Sequence, residues 1–141
     1  MAPDIANHIR CVEAFLEAHR RCDPEEELED SSKIALPAIV CGAFACEVAF
    51  KSLLELHGRP AKGHDLLILY NMLPTHIRLQ VLEGTCLSEG KFQRELGNAR
   101  HAFEEWRYFY EDKDFLLVNV GFLGTLASVA LAIATRIANA A

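Results

Sequence analysis

Apolar residues recur every three to four positions along almost the entire chain, and no stretch shows the strict alternation that marks a half-buried β-strand. The first helix is predicted from about Asp4, a suitable N-cap, to about Cys22. Its apolar face consists of Ile5, Ile9, Val12, Phe15 and Leu16. A helical pattern carried through 141 residues predicts one all-α domain, residues 1–141, built as a bundle of about five to seven helices with a real hydrophobic core.

A long second helix follows a polar connection. Pro37 suits the first turn of this helix, and the pattern continues through His57 to a stop at Gly58. Gly42 lies inside the helix and lowers its propensity, so we expect a neighbouring helix to approach closely there. Shorter helices are predicted over about 64–72, after Pro74, from Ser88–Glu89, and around Trp106.

The last apolar stretch, Phe115 to Thr135, contains 21 residues without a charged side chain, which meets the length rule for a membrane span. Its flanks are not typical of one, because only Arg136 supplies a positive charge downstream and aromatic residues do not bracket both ends. Apolar residues repeat within it at helical spacing. We therefore favour a helix buried in the bundle or shared with a second subunit, with a membrane helix over 115–135 as the alternative.

Charge and cysteine content exclude only a few classes of protein. Residues 4–30 carry the whole net charge of -6, so the rest of the chain is neutral and shows no basic stripe for nucleic acid. The five cysteines are odd in number, and no two are separated by two residues, so neither a zinc site nor a disulfide framework is expected. No secretory signal pattern opens the chain. These features predict a reduced, cytoplasmic protein without a metal or cofactor.

Three segments carry a family resemblance: FACEVAFKSLL at 44–54, GHDLLILYNMLP at 63–74, and AFEEWRYFYE at 102–111. Together they resemble the HEPN domains, small all-helical modules named for higher eukaryotes and prokaryotes nucleotide binding. The similarity spans most of residues 37–135 and is weakest over the first thirty. It implies a non-catalytic helical module that acts through protein partners or a nucleotide-sized ligand.

The charged residues of these segments are the first candidates for a site. The resemblance implies one partly buried polar cluster formed by Glu47, Lys51, His64, Arg107 and Glu111. Simpler structural roles compete with ligand binding. Glu47 and Lys51 are four positions apart on one helix and can form an ion pair, Arg107 can join two helices through a carboxylate, and His64 can pack at a helix start beside the capping Asp65.

Arg94 and His101 carry the alternative function. Many HEPN members are metal-independent endoribonucleases in which an Arg is followed, after four to six residues, by a His, and here six residues intervene. In that chemistry the 2′-hydroxyl of RNA attacks the adjoining phosphate, the His moves the proton and the Arg neutralises the developing charge. Acidic Glu95 departs from the family pattern, and Leu96-Gly97-Asn98 is expected to kink the helix. A solvated Arg and a helix-start His are the structural alternative.

The resemblance also implies partners. We expect a homodimer formed through the last helix and the region from Arg94 to His101, because HEPN ribonucleases commonly complete their site with the same motif from a second subunit. A toxin or phage-defence ribonuclease would act on RNA and be paired with an antitoxin. A non-catalytic module would bind another protein partner.

Overall fold

The computed structural model describes residues 3–22, 31–105 and 118–141, and within these ranges it contains α-helices and no strand. The helices are α1 Pro3–Cys22, α2 Ser31–Leu56, α3 Leu66–Met72, α4 Thr75–Thr85, α5 Glu89–Ala99, the single turn α6 Ala102–Glu105, and α7 Val120–Ala140. The predicted all-α bundle of five to seven helices is confirmed.

The second helix starts earlier than the sequence predicts. α2 begins at Ser31, so Pro37 lies inside it and the expectation that Pro37 occupies the first turn is wrong. An internal proline removes one backbone hydrogen bond and crowds the carbonyl four residues before it. Burial offsets that cost here, since the next two residues, Ala38 and Ile39, are 0% and 6% exposed. At the other end Gly58 adopts a φ of +69° and stops the helix as predicted.

Three long helices form the centre of the bundle. α2 packs against both α1 and α7, and α1 also contacts α7, while α3 and α6 lie against α2 and α4 lies against α7. Phe92 of α5 is fully buried and joins the shorter helices to this centre, because its ring lies 5.0 Å from that of Tyr70 and 5.8 Å from that of Phe122. Burial of a side chain of this size contributes about 1.5–3 kcal/mol.

The three central helices lie close together at Gly42 of α2. A methyl group at this position would lie 2.7 Å from Nδ1 of His19 on α1 and 3.0 Å from Cβ of Leu123 on α7. Separations this short are not tolerated between packed atoms, so only a glycine fits without a shift of the neighbouring helices. The close helix approach expected at Gly42 is confirmed.

α7 has an apolar, small-residue sequence and is central to the packing. Eight of its residues are buried: Phe122, Leu123, Leu126, Ala127, Ala130, Ile133, Ala134 and Ala138. Its 21 residues are also long and apolar enough to cross a membrane. Core helices of globular proteins pass the same test. Packing against α1, α2 and α4 uses part of that apolar composition, since 39% of the most apolar stretch of α7 is buried.

The segment from α3 to α6 positions the polar side chains described next. Asp65 caps α3, since its carboxylate accepts hydrogen bonds from the backbone N–H groups of Leu67 at 3.0 Å and Ile68 at 3.2 Å. α5 runs without interruption through Gly97 and ends at Ala99, so the expected kink at residues 96–98 is wrong. The break comes after Ala99, where the Arg100 carbonyl accepts a hydrogen bond from the Leu66 N–H at 3.0 Å.

Candidate functional site

A buried carboxylate lies at the centre of the predicted polar cluster. Glu47 of α2 is 2% exposed, and its two oxygens have separate partners. Oε2 accepts a hydrogen bond from Lys51 Nζ at 3.1 Å, and Oε1 accepts one from His64 Nδ1 at 2.8 Å. The first contact follows from helical spacing within α2. The second joins α2 to the loop before α3, and it supplies the polar partner that a buried carboxylate needs.

The contact with Glu47 orients the imidazole of His64. An ionised carboxylate only accepts hydrogen bonds, so Nδ1 carries the hydrogen and the lone pair of Nε2 is left for another group. The His64 side chain is 48% exposed, and its ring lies 5.5 Å from that of Phe103. A half-exposed imidazole held by a carboxylate on one side can bind a ligand or accept a proton with the other nitrogen.

A second carboxylate, Asp65, follows His64 directly in the chain. Arg100 donates to both of its oxygens, from Nε to Oδ2 at 3.0 Å and from a terminal nitrogen to Oδ2 at 2.8 Å, with Nε also 3.2 Å from Oδ1. Burial by itself would raise the pKa of Asp65. The Arg100 and Ile68 hydrogen bonds and the charges of Arg100 and His101 outweigh that effect, so the pKa lies below its usual value.

His101 lies at the edge of this second pair. Its Nδ1 is 3.7 Å from Asp65 Oδ2 and 3.8 Å from Glu104 Oε1, and the side chain is 45% exposed. Both separations exceed hydrogen-bond length, so His101 is near two carboxylates without being fixed by either. This leaves its ring free to turn toward a ligand at the surface.

The structure does not place Arg94 in this group. Arg94 is exposed on α5, and none of the ion pairs within the described ranges includes it. The helix ends between Arg94 and His101, so the two residues do not share one continuous helical face. The basic residue next to His101 in this subunit is Arg100, which sequence reasoning missed.

Contacts join three of the five residues that were predicted to form one cluster. Glu47, Lys51 and His64 lie together, and Asp65, Arg100, His101 and Glu104 adjoin them through the peptide bond between His64 and Asp65. We call these seven residues the polar cluster. Arg107 and Glu111, and with them Trp106, lie outside the described residues.

The chemistry of the polar cluster is that of a nitrogen-rich surface backed by two carboxylates. Lys51, His64, Arg100 and His101 are all between about a quarter and a half exposed, whereas the Glu47 and Asp65 side chains are 3% and 13% exposed. Within the described part of the chain, no group of three or more His, Cys, Asp or Glu side chains has the arrangement of a metal site. Glu47 orients Lys51 and His64, Asp65 orients Arg100, and all of these side chains and His101 reach solvent.

The cysteines do not contribute to this surface. Cys46 is fully buried on α2, its thiol donates to the Leu123 carbonyl at 3.2 Å, and burial raises its pKa far above the usual range. A thiol in this setting packs as a small apolar group.

Comparison of the chain with protein-family models, with curated proteins and with solved structures finds no match.

Proposed function

We propose that this chain is a HEPN-like helical module that does not catalyse a reaction and binds a nucleotide-sized, phosphate-bearing ligand at the polar cluster. The observation that carries the proposal is the arrangement of Glu47 behind Lys51 and His64, beside Asp65 behind Arg100. Buried carboxylates hold the bases in fixed positions, and a phosphate group prefers several such donors presented together.

The charges of the polar cluster do not by themselves favour an anion. Lys51 and Arg100 balance Glu47 and Asp65, and Glu104 adds a third negative charge, so the surface is not cationic before a ligand arrives. Affinity would then come from oriented hydrogen bonds and from stacking of a base on an aromatic ring. Phe103 lies between His64 and Phe44, with ring distances of 5.5 Å and 4.8 Å, and it is partly exposed.

The test is a titration of the purified chain with AMP, ADP and adenosine, followed by calorimetry. We expect AMP or ADP to bind and adenosine to bind at least about tenfold more weakly, because it lacks the phosphate. Arg100→Ala should weaken nucleotide binding, and Arg94→Ala, on the exposed face of α5, is the matched control. Equal binding of AMP by the two variants and the parent chain would rule out the cluster as the site.

Metal-independent cleavage of RNA by a composite dimer site is the second candidate. What favours it is the presence of two half-exposed histidines, His64 and His101, each with a carboxylate near Nδ1. Two such imidazoles can act as acid and base in attack by a 2′-hydroxyl. The Arg that neutralises the phosphate would be Arg100 of the same subunit or Arg94 of a second one.

Cleavage of a mixed RNA by the purified chain in EDTA separates the two candidates. A ribonuclease should lose its activity in His101→Ala and keep it in His76→Ala, which changes an exposed histidine of α4. No cleavage, or cleavage equal in both variants, would leave the ligand-binding module.

We also propose a cytoplasmic homodimer formed through α7 and the Arg94 to His101 region. Light scattering of the purified chain measures the mass of the particle and so tests the dimer.

A further inference from the structure

His19 is a buried polar side chain away from the polar cluster. It lies on α1, is 2% exposed, and occupies the junction of α1, α2 and α7. Its Nδ1 is 2.7 Å from the carbonyl oxygen of Ala38 on α2. A carbonyl only accepts hydrogen bonds, so Nδ1 carries the hydrogen and Nε2 presents a lone pair.

The ring of His19 is held between two glycines. A methyl group on Gly42 would lie 2.7 Å from Nδ1, and one on Gly124 would lie 2.7 Å from Nε2 and 3.1 Å from Cδ2. The ring thus fills the space that two side chains would otherwise occupy, and it has no room to move toward either helix. Its position is fixed by the Ala38 carbonyl on one side and by Gly124 on the other.

The Nε2 side of the ring borders an open groove between α1 and α7. The groove has a volume of about 360 Å³, and its lining includes His19, Arg20, Gly121, Gly124, Thr125 and Ser128. Within the described residues, no hydrogen bond reaches Nε2, and the His19 side chain is part of the groove lining. A nine-tenths buried acceptor therefore faces a space large enough for a small molecule.

The rest of the lining favours an anion. Arg20 supplies a positive charge, only loosely paired with Glu17 at 3.9 Å. Gly121 lies in the first turn of the 21-residue α7, where backbone N–H groups lack intrahelical acceptors and carry partial positive charge. The Thr125 hydroxyl adds a donor, whereas Ser128 already donates to the Gly124 carbonyl at 2.8 Å. The lining of the groove thus contains donors for an anion together with one acceptor, His19 Nε2.

We propose that this groove binds a small oxyanion that also carries an O–H group, such as hydrogen phosphate or a hydroxycarboxylate. The O–H donates to Nε2 of His19, and the anionic oxygens accept from Arg20 and the start of α7. The site shares no residue with the polar cluster, so it stands independently of the function proposed there.

The requirement for an O–H gives a sharp test with two pairs of probes. At neutral pH hydrogen phosphate has an O–H and sulfate has none, and glycolate has an O–H that acetate lacks. Each probe is titrated at constant ionic strength into the isotopically labelled chain, and the amide signals of Gly121 and Gly124 are followed by NMR. We expect at least one O–H-bearing probe to bind about tenfold or more tightly than its partner.

Discrimination within only one pair identifies the ligand as a phosphate or as a hydroxycarboxylate. Equal binding within both pairs, or no shift at these glycines, overturns the proposal, because a water molecule would then be the partner of Nε2. Shifts confined to the polar cluster overturn it as well.

Variants test the role of His19 directly. His19→Asn retains a donor for the Ala38 carbonyl but removes the Nε2 acceptor. It should therefore bind the probe with an O–H group and its partner without one equally well. Gly124→Ala should abolish binding, because its methyl group would press on Nε2. If either variant fails to fold, Arg20→Gln at the exposed rim should still fold and bind the O–H-bearing probe about tenfold more weakly. Unchanged binding in Arg20→Gln and in every folded variant would refute the site.

Discussion

Removal of the Asp65 carboxylate should destabilise the chain by two separable amounts. Asp65 caps α3 through the N–H groups of Leu67 and Ile68, and it also accepts hydrogen bonds from Nε and from a terminal nitrogen of Arg100. Asn is as good an N-cap as Asp, so Asp65→Asn keeps the cap and removes only the charge that Arg100 contacts. Asp65→Ala removes both.

The magnitudes follow from the geometry. Hydrogen bonds to a charged group contribute about 1.5–3 kcal/mol, and the Arg100 side chain is 35% exposed, so solvent reduces this to about 1–2 kcal/mol for Asp65→Asn. Loss of an N-cap adds about 0.5–2 kcal/mol, so Asp65→Ala should lose about 1.5–4 kcal/mol in total. The cycle of Asp65→Asn with Arg100→Gln should give a coupling energy of about 1–2 kcal/mol, because each single change breaks the same pair.

Urea unfolding at pH 7 and at pH 3 measures these terms. The pKa of Asp65 in the folded chain is below its unfolded value of about 3.9, so its stabilising effect is present above that value and is lost as the pH falls through the folded pKa. The difference between the parent chain and Asp65→Asn should therefore shrink in acid. A coupling energy below about 0.5 kcal/mol at pH 7, or a difference that does not change with pH, would refute the assignment of Asp65 to Arg100.

Three further changes test the core and the polar cluster. Gly42→Ala should destabilise the chain by about 1–3 kcal/mol, although Ala is a better helix former than Gly. Gly97→Ala is the control, because no atom lies within 4 Å of the added methyl group, and it should stabilise the chain by about 0.5–1 kcal/mol. Equal effects of the two changes in urea unfolding would contradict the close packing at Gly42. Phe92→Ala should lower the free energy of unfolding by about 3–5 kcal/mol, as measured by thermal or urea denaturation, and a loss under 1 kcal/mol would show that this ring is not in the core. Glu47→Gln should cost about 1–3 kcal/mol and should make the His64 ring more mobile in NMR relaxation, and an unchanged ring would show that the carboxylate does not hold it.

Local features of the sequence predict the helices and several of their ends. Periodicity identifies α1 and α7, Gly58 marks the end of α2, and Ser88 caps α5 by accepting from the Lys91 N–H at 3.3 Å. These signals work because helix formation and capping depend on residues within one or two turns. The predicted start of α2 near Pro37 is wrong because local signals do not report contacts with distant parts of the chain. Burial just after Pro37 comes from other helices and is invisible within a local window.

The contacts of the candidate site are likewise of two kinds, those that helical spacing predicts and those that only helix packing creates. The pair of Glu47 with Lys51 follows from helical spacing and was predictable. The contacts of Glu47 with His64, 17 positions away, and of Asp65 with Arg100, 35 positions away, arise only when α2, α3 and the end of α5 pack together. No spacing rule pairs Asp65 with Arg100, whereas Arg94 fits the motif spacing to His101.

Sequence alone predicts an all-helical fold, the ends of several helices, and a close helix contact at Gly42. These properties depend on local backbone preference and on which face of each helix is apolar. Tertiary structure decided which bases meet which carboxylates, and it placed His19 between two glycines at the edge of a groove. Such contacts join residues far apart in the chain, and their geometry is fixed by how the helices cross and not by the order of residues within any one of them.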